Sequence, residues 1–247
     1  MNPIEPVEVA PIPNPQSPTP FFDYTDLFVF IGLCVPCLLI AVLLIRGVRM
    51  LSPIPTSVQL LAVQSVWYFL AFGCVAALFR IRYQEPFWRS LGWRSLSFSR
   101  STVALLAGPV LALALGLLGA ALHTPEIDLP FQQMLGSPAT TISLGIVVVI
   151  LGPICEELAF RGFLMPLLIR SLGTAGGILV TGFIFGSIHG YEYQWSWRHM
   201  LLISLVGCVF GWAKYKTQST AASAFMHSTF NLTQFAAFLL QARTIHD

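Results

Sequence analysis

An acidic pair stands inside an apolar stretch of this sequence, in the segment ICEELAFRGFL. On a helix, Glu157 and Arg161 are four residues apart and share a face, so they can neutralise each other. Glu156 is turned by about 100° from Glu157 and has no local partner. An unpaired carboxylate in apolar surroundings is suited to accept a proton near neutral pH, as a general base must. The alternative for all three residues is a structural ion-pair cluster between helices.

Two histidines and an asparagine follow in later apolar stretches. His189 ends the segment FIFGSIHG, and FMHSTFNLT contains His227 and Asn231. The four-residue spacing places His227 and Asn231 on one helical face. Such residues can simply bond helices together in lipid. With one carboxylate they also supply the parts for hydrolysis, because Glu156 can activate water, one His can orient it, and the other groups can stabilise a tetrahedral oxyanion.

Other enzyme signatures are missing from the sequence. No HExxH, GxxxxGK[ST] or GxGxxG motif occurs, and Ser223 and Ser228 lack the GxSxG context of a serine hydrolase. Cys34 and Cys37 form a CxxC without a second pair or a nearby His, so we interpret them as packing residues.

The composition indicates that the solvent of this chain is lipid. Hydrophobic residues make up 55% of the 247 positions and charged residues only 10%, whereas soluble domains carry about 25% charged residues. The net charge of +2 and the lack of a Lys/Arg-rich run give no reason to expect a nucleic-acid partner. The expected partners are the lipid bilayer and a protein or peptide substrate.

The apolar runs predict an all-α fold, a polytopic transmembrane helical bundle of about seven spans. A spanning helix needs roughly 20 apolar residues, and the runs are continuous rather than alternating, which argues against a lipid-facing barrel. The spans are expected at residues 27–45, 58–79, 103–122, 142–168, 178–189, 200–213 and 221–240. Rows of small residues at four-residue spacing, such as Gly182, Gly186 and Gly190, predict close helix packing.

The prolines predict a disordered N-terminal tail, and the positions of the basic residues predict the orientation of the chain in the membrane. Residues 1–22 are Pro-rich and predict a disordered tail, while residues 23–247 form the membrane helical domain, with the site motifs in 142–240. Lys and Arg favour the cytoplasmic side, and seven spans place eight of them on one side against four on the other. The chain is therefore expected to be a multi-pass integral membrane protein with a cytoplasmic N-terminus, in the plasma membrane if it is bacterial. The eight are Arg80, Arg82, Arg89, Arg94, Arg100, Arg170, Lys214 and Lys216, and the four are Arg46, Arg49, Arg198 and Arg243.

Three motifs together resemble a known family. EELAFR fits EExxxR, FGSIH fits FxxxH from Phe185 to His189, and HSTFN fits HxxxN, in this order and in successive apolar spans. The ordered set resembles the CPBP family of intramembrane proteases, also called the Abi or CAAX-protease family. Its members include type II CAAX prenyl endopeptidases, lysostaphin-resistance-like proteins and bacteriocin-associated proteins. The segment LGWR after the second span is also common in that family.

The resemblance implies a membrane endopeptidase that cuts peptide bonds near the bilayer, with prenylated CAAX-type C-terminal sequences as one substrate class. Glu156 would activate the water with help from His189, and His227 and Asn231 would form the oxyanion site. Glu157, Arg161 and Phe185 would hold the helices of the site.

A metal and two other functions stay open. The family is often classed with metalloproteases, and Glu156, His189 and His227 are possible zinc ligands by residue type. The same residues also suit a metal-free, glutamate-dependent site, which Asn231 favours slightly. The other functions are a proton- or ion-coupled transporter, against which the lack of an internal repeat counts, and a non-catalytic scaffold or immunity protein with the family fold.

Overall fold

The computed structural model describes residues 21–52, 54–127 and 137–244, and these residues form helices without a strand. The all-α bundle predicted from the sequence is therefore confirmed. Most of the proposed tail, residues 1–20, lies outside the described residues. The helices are α1 (Tyr24–Leu51), α2 (Thr56–Tyr83), α3 (Phe87–Ser90), α4 (Phe98–Ala121), α5 (Pro138–Ile146), α6 (Gly152–Glu157), α7 (Met165–Ile188), α8 (Trp197–Thr217) and α9 (Thr220–Thr244).

Helices α1 and α2 form an antiparallel pair that is tied together at one end. Asp23 caps α1 in a capping box with Asp26, which satisfies backbone amides at the helix start. The buried carboxylate of Asp26 also accepts hydrogen bonds from Arg82 at 2.8 Å and from the Tyr83 hydroxyl at 2.6 Å. Because these bonds join the first turn of α1 to the last turn of α2, they fix the register of the pair.

Two residues assigned to the tail belong to the packed domain. Phe22 is buried and stacks on Phe79, with ring centroids 5.4 Å apart, and its edge meets Phe163 at 4.8 Å. Phe21 contacts Phe79 and Tyr83. Phe22 therefore packs as part of the bundle, because its ring buries a large apolar area, while the partly exposed Phe21 contacts the bundle at its edge.

The run from Pro138 to Ile188 is a single apolar stretch of 51 residues in which helix type changes repeatedly. Two π-helical turns, Val147–Leu151 and Leu158–Leu164, flank the short helix α6. Pro153 lacks an amide hydrogen and its ring crowds the preceding turn, which accounts for the first departure from α-helical bonding. Gly173 has φ +72° and ψ 173° inside α7, so the chain folds back there and the run contains two antiparallel segments.

Glycines allow the last helices to approach one another closely. A Cβ at Gly182 would lie 2.8 Å from the Ser204 carbonyl oxygen, and one at Gly186 would lie 2.5 Å from the Met200 carbonyl oxygen. The predicted small-residue row therefore forms the contact between α7 and α8. Gly190 lies beyond the helix, where its Cβ would meet the ring of Trp195.

Four helical runs of the described chain are long and apolar enough to cross a bilayer, namely α1, α2, α4 and Pro138–Ile188. Because the fourth run is broken at Gly173, it supplies two segments. Helices α8 and α9 are 21 and 25 residues long but more polar, since they carry the later histidines, Asn231 and the two lysines. The chain is an integral membrane protein, and its seven antiparallel segments agree with the expected number of spans.

Candidate active site

The buried centre of the bundle is an ion pair within one helical turn. Arg161 donates from Nη1 to Oε1 of Glu157 at 2.8 Å and from Nη2 to the Gly207 carbonyl oxygen at 2.8 Å. Both charged side chains are fully buried. The predicted structural pair therefore exists, and it also connects the π-helical turn to α8. Oε2 of Glu157 and Nε of Arg161 form no hydrogen bond among the described residues, so this pair is costly in energy and specifies one arrangement of helices.

His227 lies between the two adjacent glutamates. Its Nδ1 is 3.0 Å from Oε1 of Glu157, and its Nε2 is 3.9 Å from Oε2 of Glu156. Glu157 already accepts a hydrogen bond from Arg161, so its carboxylate is an acceptor and Nδ1 of His227 is the donor. The Nε2 atom is left facing Glu156.

Aromatic rings enclose the ion pair and the histidines. The Arg161 guanidinium carbon lies 4.5 Å from the centroid of the Phe185 ring, a cation–π distance. The Phe185 ring also meets His189 at 4.8 Å and His227 at 5.8 Å, and Phe210 stacks on His227 at 4.5 Å. The first residue of the FxxxH motif therefore packs against all three basic side chains of the site.

His189 is held at the end of α7 by its own helix. Its Nδ1 lies 2.7 Å from the Phe185 carbonyl oxygen, which can only accept, so Nδ1 carries the hydrogen and Nε2 is free to act as a base. His189 and Glu156 line the same cavity but form no hydrogen bond or ion pair with each other. The space between their functional groups is part of that cavity.

Asn231 lies one turn beyond His227 on the same face of α9, as the spacing predicted. Its Nδ2 donates to the Val148 carbonyl oxygen at 2.9 Å. Val148 belongs to the first π-helical turn, whose altered bonding leaves carbonyl groups for other partners. One amide hydrogen of Asn231 is fixed by this bond and the second remains for another acceptor.

All four proposed catalytic residues line one cavity of about 1230 Å³. Residues from the start of α2, the end of α4, the end of α5, the start of α8 and the end of α9 complete its wall. In an antiparallel bundle these ends lie on one side of the membrane, so the cavity opens toward that side. Its wall is mostly apolar and contains several polar and charged side chains, which is typical of a ligand site.

The described residues do not provide a metal site. No group of three or more His, Cys, Asp and Glu side chains in the described ranges is arranged to hold a metal ion. Within the described residues, Glu156, His189 and His227 therefore share a cavity without forming one three-residue ligand set.

The LGWR segment docks against the helix that carries His227 and Asn231. The amide of Thr220 donates to the Gly92 carbonyl at 2.9 Å, its hydroxyl donates to the Leu91 carbonyl at 2.7 Å, and the Ser219 hydroxyl donates to the Arg94 carbonyl at 2.7 Å. A Cβ at Gly162 would lie 2.8 Å from the Leu91 carbonyl oxygen. The sequence analysis noted LGWR as a segment common in the family. It did not predict that this segment contacts α9 and the second π-helical turn.

Sequence reasoning also did not select Glu192, which lies in the turn after His189 and lines the cavity. Burial raises the pKa of its carboxyl group, and Glu156 adds to this, while His189 acts in the opposite direction. One sequence feature could have drawn attention to it, because Glu192 is the only acidic residue between Glu157 and Asp247.

The motif region matches a known family model. Residues 138–233 match the model described as type II CAAX prenyl endopeptidase Rce1-like. This segment is similar to the Rce1-like family. The match confirms the resemblance to the CPBP family over less than half of the chain. Comparison with curated proteins and with solved structures gives no significant match.

The segment that matches the family model contains every residue proposed for catalysis. It begins at the first residue of α5, includes both π-helical turns, α6, α7 and α8, and ends two residues after Asn231. Helices α2 and α4, which precede it, and the end of α9, which follows it, contribute further parts of the cavity wall.

Proposed function

We propose that this protein is an intramembrane endopeptidase. Glu156 activates the water that hydrolyses a peptide bond of the substrate. The main support is the meeting of Glu156, His189, His227 and Asn231 in one cavity, within an Rce1-like domain. These residues come from three helical segments that are far apart in the sequence. Their types supply a base, an orienting group and oxyanion donors, which is the minimum set for adding water to an amide.

Water activation is assigned to Glu156 and His189. The Glu156 carboxylate takes a proton from a water held between it and Nε2 of His189, and the resulting hydroxide adds to the scissile carbonyl carbon. When the tetrahedral intermediate collapses, the C–N bond breaks and the protonated Glu156 transfers its proton to the leaving amine. The products are a new carboxylate and a new amine, and Glu156 is again ionised.

Oxyanion stabilisation is assigned to His227 and Asn231. The second amide hydrogen of Asn231 can point at the developing oxyanion because Val148 holds the side chain in place. Because Nδ1 of His227 donates to Glu157, Nε2 faces the cavity, and it can donate to the oxyanion when the ring carries both protons. Preformed donors of this kind account for a large part of catalysis in acyl transfer.

The substrate is proposed to enter from one side of the membrane. The cavity of about 1230 Å³ is large enough for several residues of an extended peptide and has an apolar wall for an attached lipid or apolar side chains. A prenylated CAAX-type C-terminus fits this description, as the family name suggests. We further propose that the N-terminus is cytoplasmic. The cavity would then open on the side of the membrane opposite to the larger group of eight Lys and Arg residues.

Cleavage of a quenched farnesylated CAAX peptide by the purified protein in detergent tests the proposal. Wild type is expected to cut the peptide, while Glu156→Ala and His227→Ala are expected not to. The exposed Glu126→Gln serves as the matched control and is expected to keep wild-type activity. The metal-free mechanism predicts the same rate with and without a strong chelator.

Equal cleavage by wild type and Glu156→Ala would overturn the proposal. Lack of cleavage by folded wild type, together with proton- or ion-dependent transport that is lost in Glu156→Gln, would instead favour the transporter.

A further inference from the structure

The catalytic cavity is acidic. Its titratable lining consists of the carboxylates Glu156 and Glu192, three histidines and two tyrosines, and no Lys or Arg from the described residues lines it. Glu156 is required to exchange protons during hydrolysis. The proposed mechanism gives Glu192 no role in proton exchange. A role in binding the substrate would explain a carboxylate at this position.

The turn that carries Glu192 is held firmly in place. Three backbone hydrogen bonds cross it, including one of 2.7 Å from the Trp195 amide to the Gly190 carbonyl. Tyr193 stacks on His199 of α8 with ring centroids 5.0 Å apart. Gln194 and Trp195 both have left-handed backbone angles, with φ of 49° and 57°, which cost energy in residues other than glycine and occur where a site requires them.

Glu192 forms no ion pair in this position, and of the groups that act on its carboxyl only His189 favours the charged form. None of the ion pairs of the described residues includes it. Its side chain is half-buried, so it has lost part of its hydration without the compensation that a paired cation gives. Burial accordingly disfavours its charged form, as the raised pKa of this carboxyl group indicates.

We infer that Glu192 is a specificity-determining residue that selects substrates with a Lys or Arg side chain next to the scissile bond. This inference rests on the proposed peptidase function. A Lys or Arg side chain of the substrate would pair with Glu192 and favour the charged form of its carboxyl group, because an opposite charge stabilises an ionised carboxylate. An acidic side chain in the same place would meet two carboxylates and no Lys or Arg, so it would be disfavoured.

The two carboxylates of the cavity also affect how the C-terminus of the substrate binds. A substrate cut close to its C-terminus brings a free carboxylate into the cavity, and a neighbouring Lys or Arg in the substrate would offset that charge. Amidation of the C-terminus should therefore help an acidic peptide more than a basic one.

Farnesylated quenched peptides that differ at one residue test the inference. Lys, Gln or Glu is placed in turn immediately before and immediately after the farnesylated cysteine, with the C-terminus free or amidated. At one of these positions the wild-type kcat/KM is expected to be about tenfold higher for Lys than for Glu. In Glu192→Gln the ratio should fall toward one, and in Glu192→Lys it should invert, while Glu126→Gln should keep the wild-type ratio.

The outcomes separate this inference from the peptidase proposal. A wild-type ratio near one at both positions, or a ratio that Glu192→Gln leaves unchanged, overturns the role of Glu192 but leaves the peptidase in place. Failure of folded wild type to cut any of the peptides, or cleavage that survives in Glu156→Ala, overturns both. The isosteric Glu192→Gln decides the matter if Glu192→Lys does not fold.

Discussion

His227 on α9 lies 3.0 Å from Glu157 on α6, and this contact joins the two motif helices at the buried centre of the bundle. The same carboxylate oxygen accepts a hydrogen bond from Arg161. A residue that the sequence suggested only as helix support therefore also orients a ring proposed to act in catalysis. The contact fixes which nitrogen of His227 faces the cavity.

The Glu157–Arg161 pair should behave as one structural unit. We expect Glu157→Gln and Arg161→Met each to lower the free energy of unfolding by about 3–5 kcal/mol, because each leaves the other charge buried without its partner. The double variant should lose much less than the sum of the two. Thermal unfolding in detergent measures all four forms. Additive losses would contradict the coupling.

Glu156 should be dispensable for folding and required for cleavage. Glu156→Gln keeps the shape of the side chain but cannot take a proton from water, so we expect peptide cleavage to fall by at least about 10²-fold. The melting temperature should stay close to that of wild type, since Glu156 forms only a long 3.9 Å contact with His227. A large loss of stability would instead mean that the residue is structural.

Asn231 should act on the rate and little on substrate binding. Asn231→Ala removes one oxyanion donor, which typically lowers kcat by about 10²–10³-fold, and KM should change little. Ser228→Ala on the same helix is the control and should keep the wild-type kcat. A large loss in Ser228→Ala would favour a serine nucleophile and contradict the Glu156 mechanism.

The glycines between α7 and α8 should not tolerate a methyl group. Gly182→Ala is expected to destabilise the bundle, because its Cβ would lie 2.8 Å from the Ser204 carbonyl oxygen and the helices would have to separate. Gly73→Ala on α2 meets no atom within 4 Å, so stability there should stay equal or rise by up to about 1 kcal/mol through helix propensity. Thermal unfolding of the two variants side by side tests the expectation, and equal melting temperatures would refute it.

Much of the architecture followed from the sequence because hydropathy is a local property. Continuous apolar runs predicted the helices, the small-residue rows predicted close helix packing, and the spacing of His227 and Asn231 predicted their common face. The three motifs predicted the family, which the match over residues 138–233 confirms. The roles of Glu156, His189, His227 and Asn231 in catalysis stay predictions.

The sequence by itself thus determined that this chain is a helical membrane protein and which polar residues its apolar spans contain. Only the tertiary structure decided which of those residues meet: that Glu157 contacts His227, that Val148 holds Asn231, and that Glu192 shares the cavity of Glu156. The π-helical turns and the break at Gly173 rotate and redirect the chain between the motifs. Residue spacing assumes a regular helix, so it could not give the positions of side chains on either side of such irregular turns.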